Sequence, residues 1–340
     1  MGKAFTSVLI EERSIASYAK REIHNEVSHA AFSERQRADI DLIVSELTSN
    51  IIKHAKGGEI HYRTDIDDTQ KPVFEIISVD KGPGMADPKF MMKDGVSTTG
   101  TLGQGLGAID RLSSLSQVYS IPGWGTILYA KVQTQACAPT KPGSLDVQVG
   151  ALCINKPRET VCGDGYRVKK TARDVRIFFG DGLGHGADAK AAVDAAGEYF
   201  MNCYDQSPVD IIRQMHERVR RTRGLVASIA LFDKTNSQLR ICGVGNTSVR
   251  IYNGLEVKNY MSFNGTVGLN IPNSLKDSTF ELTKNQYLVM TTDGIRSRWN
   301  ISRYPSILKF DNTILAAAIY RDNFRGNDDA SVLVAKVNQI

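Results

Sequence analysis

Between residues 34 and 55 apolar side chains recur every three or four positions, at Ile40, Ile43, Val44, Leu47, Ile51 and Ile52. That spacing lays them along one stripe and predicts a helix over 34–55. Ser33 with Glu34 and Gln36 fits an N-cap and its capping-box partner, and Gly57-Gly58 stops the run. Shorter apolar runs predict strands at 59–65, 73–79 and 126–133, and residues 105–114 open a further helix.

The pattern changes beyond residue 145. Strand-like runs dominate, at 175–179, 225–232, 238–244, 248–252, 286–291 and 331–337. Two helices interrupt them. One covers 187–202; the other opens at Ser207, with Pro208 in the first helical position and Asp210 near the positive end of the dipole. Many strands with a pair of helices imply packed sheets flanked by helices. Between the two patterns Pro139, Pro142 and Gly143 make a short, stiff linker. The chain therefore reads as two α+β domains, 1–135 and 145–340, joined by 136–144.

Composition narrows the class. A length of 340 residues suits two cores of ordinary size. No apolar run approaches the ~18–20 residues needed to span a bilayer, and the start lacks an apolar leader, so a cytoplasmic protein with no membrane role is expected. The five cysteines are odd in number and form no Cys-x-x-Cys pair, which fits a reducing compartment.

Charge is split unevenly. Residues 1–135 carry 15 Lys and Arg against 17 Asp and Glu, a net −2, while residues 136–340 carry 27 against 20, a net +7. Arg218, Arg220, Arg221 and Arg223 fall in one stretch, either a solvated helix end or a docking patch for an acidic or phosphorylated protein. No basic stripe interleaved with aromatics appears, which argues against nucleic acid.

Three groups of residues in the first half carry chemistry. Glu46 and Asn50 lie four apart on the predicted helix, off its apolar stripe, so they share a face. The amide oxygen can bind Mg²⁺ and the carboxylate can orient or deprotonate a hydroxyl, although alone the pair is ordinary surface polarity. Asp80 follows a strand and precedes Gly82-Pro83-Gly84, where a carboxylate can accept from an exocyclic amine and glycines admit a flat base; a plain turn would read the same. Gly103, Gly105 and Gly107 precede a helical segment, and their N–H groups can form an anion nest or a flexible lid. Thr126, after Gly125, can bring a hydroxyl to a nucleotide.

In this order the pieces resemble the GHKL (Bergerat-fold) ATPase/kinase superfamily. Within it, "SELTSNIIKHAKGGEI", "DKGPGMAD" and "GVSTTGTLGQGLGAIDRL" look most like the serine kinases of bacterial partner switching, the anti-sigma-factor and stressosome switch kinases. The likeness covers nearly all of 1–133. It implies an α/β sandwich with a mixed sheet and helices on one face, binding ATP and Mg²⁺ and phosphorylating Ser or Thr on a STAS-type antagonist. It makes Glu46 the general base, Asn50 the Mg²⁺ ligand and Asp80 the adenine reader. Gly82, Gly84 and Thr126 would be nucleotide contacts, and Gly103, Gly105 and Gly107 the phosphate lid.

The second half holds Asp164, Asp181, Asp293 and Asp328, each beside glycine or another aspartate. Each Asp-Gly alone is a common hairpin signal. Four in succession at strand ends suit two hard cations, Mg²⁺ or Mn²⁺, that activate a shared water. His185 is read as structural, orienting the start of the 187–202 helix. The motifs "VCGDGYRV", "FFGDGLGHGADA", "TTDGI" and "NDDASVLV" resemble the metal-dependent protein phosphatase (PPM) family in its SpoIIE-like branch, over roughly 145–340. That likeness implies an α-β-β-α sandwich. It makes Asp164, Asp181, Asp293 and Asp328 metal ligands, with Gly182 giving its carbonyl. The arginine that grips phosphate in eukaryotic members has no clear counterpart, with Arg158, Arg167 and Arg173 as candidates. Asp329 stands where many relatives have asparagine, a swap expected to be tolerated.

Together the halves imply a bifunctional partner-switching enzyme acting on a STAS-domain protein or its phosphorylated form, with a sigma-regulatory protein as a further candidate partner and an oligomer allowed. The alternative is a phosphatase whose first half is a non-catalytic, anti-sigma-like binding module.

Overall fold

The computed structural model describes residues 2–67, 69–92, 105–134, 145–204, 207–254 and 256–339. Gly103 and the 136–144 linker lie outside the described residues. Two compact units emerge. One comprises Phe5–Ala138 and Pro305–Ala317, the other Met1–Ala4, Pro139–Tyr304 and Ala318–Ile340.

The first unit runs β1 (Thr6–Ile10), α1 (Arg13–Ser28), α2 (Glu34–Asn50), β2 (Gly58–Ile66), β3 (Pro72–Asp80), α3 (Pro88–Met91), α4 (Gly105–Leu112), β4 (Leu115–Ile121) and β5 (Gly125–Gln133). The capping box forms as expected. Gln36 N donates to Ser33 Oγ at 3.2 Å, and Ser33 N donates to Gln36 Oε1 at 3.0 Å. Ile40, Ile43, Val44, Leu47 and Ile51 are buried against Ile60, Phe74, Ile76 and Leu128 of the sheet. The helix does not stop directly at the glycines. It widens into a π-helical turn, Ile51–Ala55, and Lys56 takes the left-handed conformation at φ 57°.

Its sheet has the order β1-β2-β3-β5-β4. All four pairings are antiparallel, where a mixed sheet was expected. The reason is the β4–β5 hairpin, which inserts β5 between β3 and β4 and so separates the two strands that run parallel. At its turn Gly84, at φ 70°, must be glycine, because a Cβ there would lie 2.0 Å from Ile121 O. The Pro305–Ala317 segment is grouped with this unit, although the sequence reading placed it in the second domain. There Tyr119 Oη donates to Pro305 O at 3.2 Å, and Phe310 packs edge-on against Tyr119.

The second unit adds β6 (Asp146–Ile154), β7 (Asp164–Lys170), β8 (Asp174–Gly182), α5 (Ala187–Asn202), α6 (Pro208–Arg218), β9 (Leu225–Asp233), β10 (Gln238–Val244), β11 (Ser248–Asn253), β12 (Glu256–Tyr260), β13 (Ser278–Glu281), β14 (Tyr287–Thr291) and β15 (Ala330–Gln339), while α7 (Asn312–Asn323) is divided, its residues up to Ala317 grouping with the first unit and the rest with the second. Two five-stranded sheets form, β13-β10-β9-β8-β7 and β12-β11-β14-β15-β6. Ile177 and Phe179 of β8 face the core between them, with Phe232, Leu288, Met290 and Leu333. Phe178, the residue between, turns the other way and packs with Phe200, Ile211 and Met215 of α5 and α6. Strands buried on both faces explain the unbroken apolar runs in the sequence. The architecture is α+β in two domains, and no helix among the described residues is long and apolar enough to cross a membrane.

Candidate active sites

In the first unit, Glu46 and Asn50 converge on the N-terminus of α4. A Cβ added at Gly105 would lie 2.8 Å from Glu46 Oε2 and 4.0 Å from Asn50 Oδ1. The Glu46 carboxylate thus lies close against the backbone of a helix end whose first N–H groups favour anions. Gly107 is buried two residues further along α4.

Asp80 ends β3. Its Oδ1 accepts from Gly82 N at 2.8 Å and from Thr126 N at 3.2 Å, so one carboxylate oxygen joins the Gly82–Gly84 loop to the start of β5. Gly82 is also closely packed, since a Cβ would sit 3.0 Å from Ala55 Cα and 3.0 Å from Asp80 Oδ1. Ser120 completes the knot. Its Oγ accepts from Met85 N at 2.8 Å, donates to Gly125 O at 2.9 Å and lies 2.9 Å from Thr126 Oγ1. Sequence reasoning missed Ser120, because nothing local marks a serine in mid-strand as a loop anchor. The glycine cradle and its flanking acid and amide fit a nucleotide with a divalent cation.

In the second unit, Asp164 opens β7 and Asp181 lies near the end of β8, and the two are directly opposed across the strands. Like charges so placed repel. Thr292 Oγ1 donates to Asp164 Oδ2 at 2.8 Å. Thr292 is itself pinned, its N–H donating to Ser331 O at 3.1 Å and its Oγ accepting from Ser331 N at 2.9 Å. The other oxygen, Asp164 Oδ1, is buried with no hydrogen-bond partner among the described residues. Asn246 Nδ2 donates to Asp293 Oδ2 at 2.9 Å, and Asp329 N donates to Asp328 Oδ1 at 2.9 Å.

Asp329 has a structural task of its own. Its Oδ1 accepts from Lys156 N at 2.7 Å and its Oδ2 from Gly163 N at 2.8 Å. Both ends of the loop that leads into Asp164 are thereby tied to the start of β15. Gly182 is required next to α5, since a Cβ would lie 2.4 Å from Ala189 O.

Electrostatics agree with the geometry. Burial pushes the Asp164 carboxyl up to about 8, and the Asp329 carboxylate adds to the rise. Burial also raises Asp181, reinforced by Asp164, Asp293, Asp328 and Asp329. Among the described residues no group of three His, Cys, Asp or Glu side chains forms a ready-made metal cage. The acids nonetheless feel one another, and an orphaned buried oxygen beside an opposed carboxylate is a donor set that hard divalent cations fit.

The remaining sequence candidates separate. Arg167 is committed to Asp194 of α5 at 3.1 Å. Arg173 sits in the β7–β8 turn, at the far end of the hairpin from Asp164 and Asp181. Arg158 is exposed on the loop before Asp164, at φ 75°. His185 pairs through Nδ1 with Glu159 Oε1 at 2.6 Å, tying that loop to the glycine-rich turn after Asp181. Asn246 and Thr292 escaped the sequence reading because each lies far along the chain from one of the acids it serves.

Comparison with known proteins supplies the relationship. Residues 11–131 match the model of the histidine kinase-like ATPase domain, and residues 171–338 match that of stage II sporulation protein E (SpoIIE). The serine/threonine-protein kinase RsbT of Bacillus subtilis (strain 168) is 36% identical over 106 residues, which cover 31% of this chain and 79% of the kinase. The phosphoserine phosphatase RsbX of the same organism is 23% identical over 178 residues, 49% of this chain and 86% of RsbX. Among solved structures, a chain from work on the bacterial stressosome is 25% identical with a TM-score of 0.53, covering 56% of this chain and 100% of that one. RsbX in complex with magnesium is 19% identical with a TM-score of 0.51, covering 66% of this chain and 100% of RsbX, which speaks for the fold. The chain thus belongs to the partner-switching regulators, with an RsbT-type histidine kinase-like ATPase domain and a SpoIIE-type PPM phosphatase domain in a single polypeptide.

Proposed function

We propose that this chain is a cytoplasmic bifunctional switch. Its first domain, residues 1–135, transfers phosphate from ATP to Ser or Thr of a STAS-type protein. Its second, residues 145–340, removes phosphate from phosphoserine or phosphothreonine of the same or a downstream protein. The observation that supports the proposal is that Glu46 and Asn50 lie beside Gly105 at the start of α4, while Asp164 and Asp181 oppose each other across β7 and β8 in the same chain.

In the kinase reading Glu46 takes the proton from the substrate hydroxyl as it attacks. Asn50 holds Mg²⁺, Asp80 accepts from the adenine amine, and the Gly103–Gly107 loop covers the phosphates. In the phosphatase reading Asp164, Asp181, Asp293 and Asp328, with the Gly182 carbonyl, hold two Mn²⁺ or Mg²⁺ ions. Bound there, such ions would supply an activated water and offset the charge of the phosphoryl oxygens. Thr292 and Asn246 keep the Asp164 and Asp293 carboxylates in orientation by donating one hydrogen bond to each.

The test uses labelled ATP with Mg²⁺ and Mn²⁺ and co-encoded STAS proteins. An Asp293→Asn form should transfer label, and a Glu46→Ala form should release it from phosphorylated substrate. If the wild type transfers no label and Glu46→Ala leaves partner binding and signalling intact, the first domain is a binding module and only the phosphatase is catalytic.

A further inference from the structure

The turn that follows α6 is held against the acid site. Leu183 N, one residue beyond Gly182, donates to Gly224 O at 3.1 Å. Arg223 Nη1 lies 3.2 Å from where a Cβ on Gly184 would be. Thr222 fixes the turn from within, its Oγ1 donating to Val219 O at 2.7 Å and accepting from Gly224 N at 3.1 Å. Gly224 takes φ 81° and is hemmed in by Val267 O, so the turn has little room to rearrange. What the sequence offers as a run of arginines is therefore a rigid ledge beside the Asp181–Gly186 turn.

The ledge is exposed and cationic. Arg220, Arg221 and Arg223 all face solvent. Arg220 pairs with Glu217 at 2.8 Å and Arg223 with Asp188 at 2.7 Å. All four partners are more than half exposed, and such pairs exchange readily for another carboxylate. Two apolar side chains flank the cations in the open, Leu183 and Leu269, the latter packed near Gly224.

We propose that the Val219–Gly224 turn is a docking ledge for acidic residues that flank the phosphoserine of a protein substrate. The inference rests on the phosphatase reading of the second domain and names the chemistry of its substrate. The argument is charge complementarity. A site walled by five aspartates repels an acidic segment at close range. Arg223, beside the Asp181–Gly186 turn, and the exposed Arg220 and Arg221, three and two residues before it, offset that repulsion and steer such a segment toward the site. The same cations disfavour a substrate with basic flanks.

The test uses the full chain with Mn²⁺ and two phosphoserine peptides, one flanked by Asp and Glu, the other by Ser and Gly. The wild type should favour the acidic peptide in kcat/KM, about five- to tenfold at low salt, and the preference should fade with added salt. The double variant Arg220→Glu, Arg221→Glu should bring the ratio to one or below. Arg220→Gln, Arg221→Gln should give an intermediate ratio, and thermal melts confirm that both variants fold. An unchanged ratio in both variants overturns the ledge while leaving the phosphatase intact. Loss of preference upon adding anionic vesicles, with no difference between wild type and variants on peptides, would assign the patch to a lipid surface and also overturn it. Failure of the wild type to release phosphate from either peptide or from p-nitrophenyl phosphate would remove the phosphatase reading itself.

Discussion

Asp80 ends β3 and Asp164 opens β7, yet the two carboxylates stand in opposite surroundings. Asp80 is met by donors, with Gly82 N and Thr126 N on one oxygen. Asp164 is met by another acid directly across the strand and keeps one oxygen buried without a partner. The first site is settled by its own hydrogen bonds before any ligand arrives. The second concentrates acids whose repulsion is relieved only by a bound proton or a cation. A nucleotide pocket can be prebuilt from glycines and backbone amides, whereas a centre for two hard cations must concentrate negative charge and bear the cost when empty.

The contrast breaks most directly by neutralising one acid in each site. Asp181→Asn should lower phosphate release roughly a thousandfold or more, since a ligand is lost. The same change should stabilise the metal-free protein by about 1 kcal/mol, because it removes the carboxylate opposite Asp164. Asp80→Ala should do the reverse and destabilise by about 1–2 kcal/mol, as two backbone donors lose their acceptor. Chemical denaturation in EDTA measures both. Destabilisation by Asp181→Asn would show that the acid cluster carries no strain.

A second expectation concerns pH. Asp164, raised to about 8, and Asp181, also raised, both lie above the ordinary carboxylate range. The folded state therefore holds protons that the unfolded chain has already released. Stability of the metal-free second domain should fall as pH rises from about 4 toward 8. Saturating Mn²⁺ should flatten that slope, because the ions replace the protons. A metal-free melting temperature that is flat or climbs over this range would contradict the account of the site.

Asp329→Asn sharpens the comparison inside the second site. The sequence alone treats the two residues as interchangeable. The structure gives each carboxylate oxygen its own backbone donor, Lys156 N and Gly163 N, and an asparagine would turn an N–H toward one of them. The expected cost is about 1–2 kcal/mol, with roughly tenfold more Mn²⁺ needed for half-maximal stabilisation. Titrating Mn²⁺ against the melting temperature reads this without assaying turnover. A variant indistinguishable from wild type in that titration would restore the tolerant reading.

How far the sequence carried depends on whether a signal is local. Helix α2 was legible because its stripe and capping box lie within one window, and α5 because Gly186 precedes it and small and apolar residues line its buried face. The Asp-Gly and Gly-x-Gly motifs were legible because turn chemistry sits beside the functional group. Helix α1 was missed since its buried side is Ala16, Ala19, Ile23 and Val27, too thin an apolar stripe. Helix α7 is buried through most of its length, which removes the polar face that marks a helix. The antiparallel order of the first sheet depends on which strands pair at a distance, and Asn246 meets Asp293 across 47 residues.

The smallest effect belongs to Ser120, and it tests whether the first site is truly settled by hydrogen bonds alone. Ser120→Ala leaves Met85 N without its acceptor and Gly125 O without a donor, and it unties Thr126. Met85 and Thr126 are half-buried and Gly125 is buried at the start of β5, so water recovers only part of the loss and the expected cost is about 1 kcal/mol. The Gly82–Gly84 loop and the start of β5 then hold Asp80 less firmly, and ATP affinity should drop about three- to tenfold by isothermal titration. Divalent cations without nucleotide should not rescue the variant, in contrast to Asp329→Asn, which more Mn²⁺ should restore. If ATP binds as tightly as before while stability falls, the knot around Ser120 supports the fold and not the nucleotide. The settled pocket would then owe its order to the glycines alone.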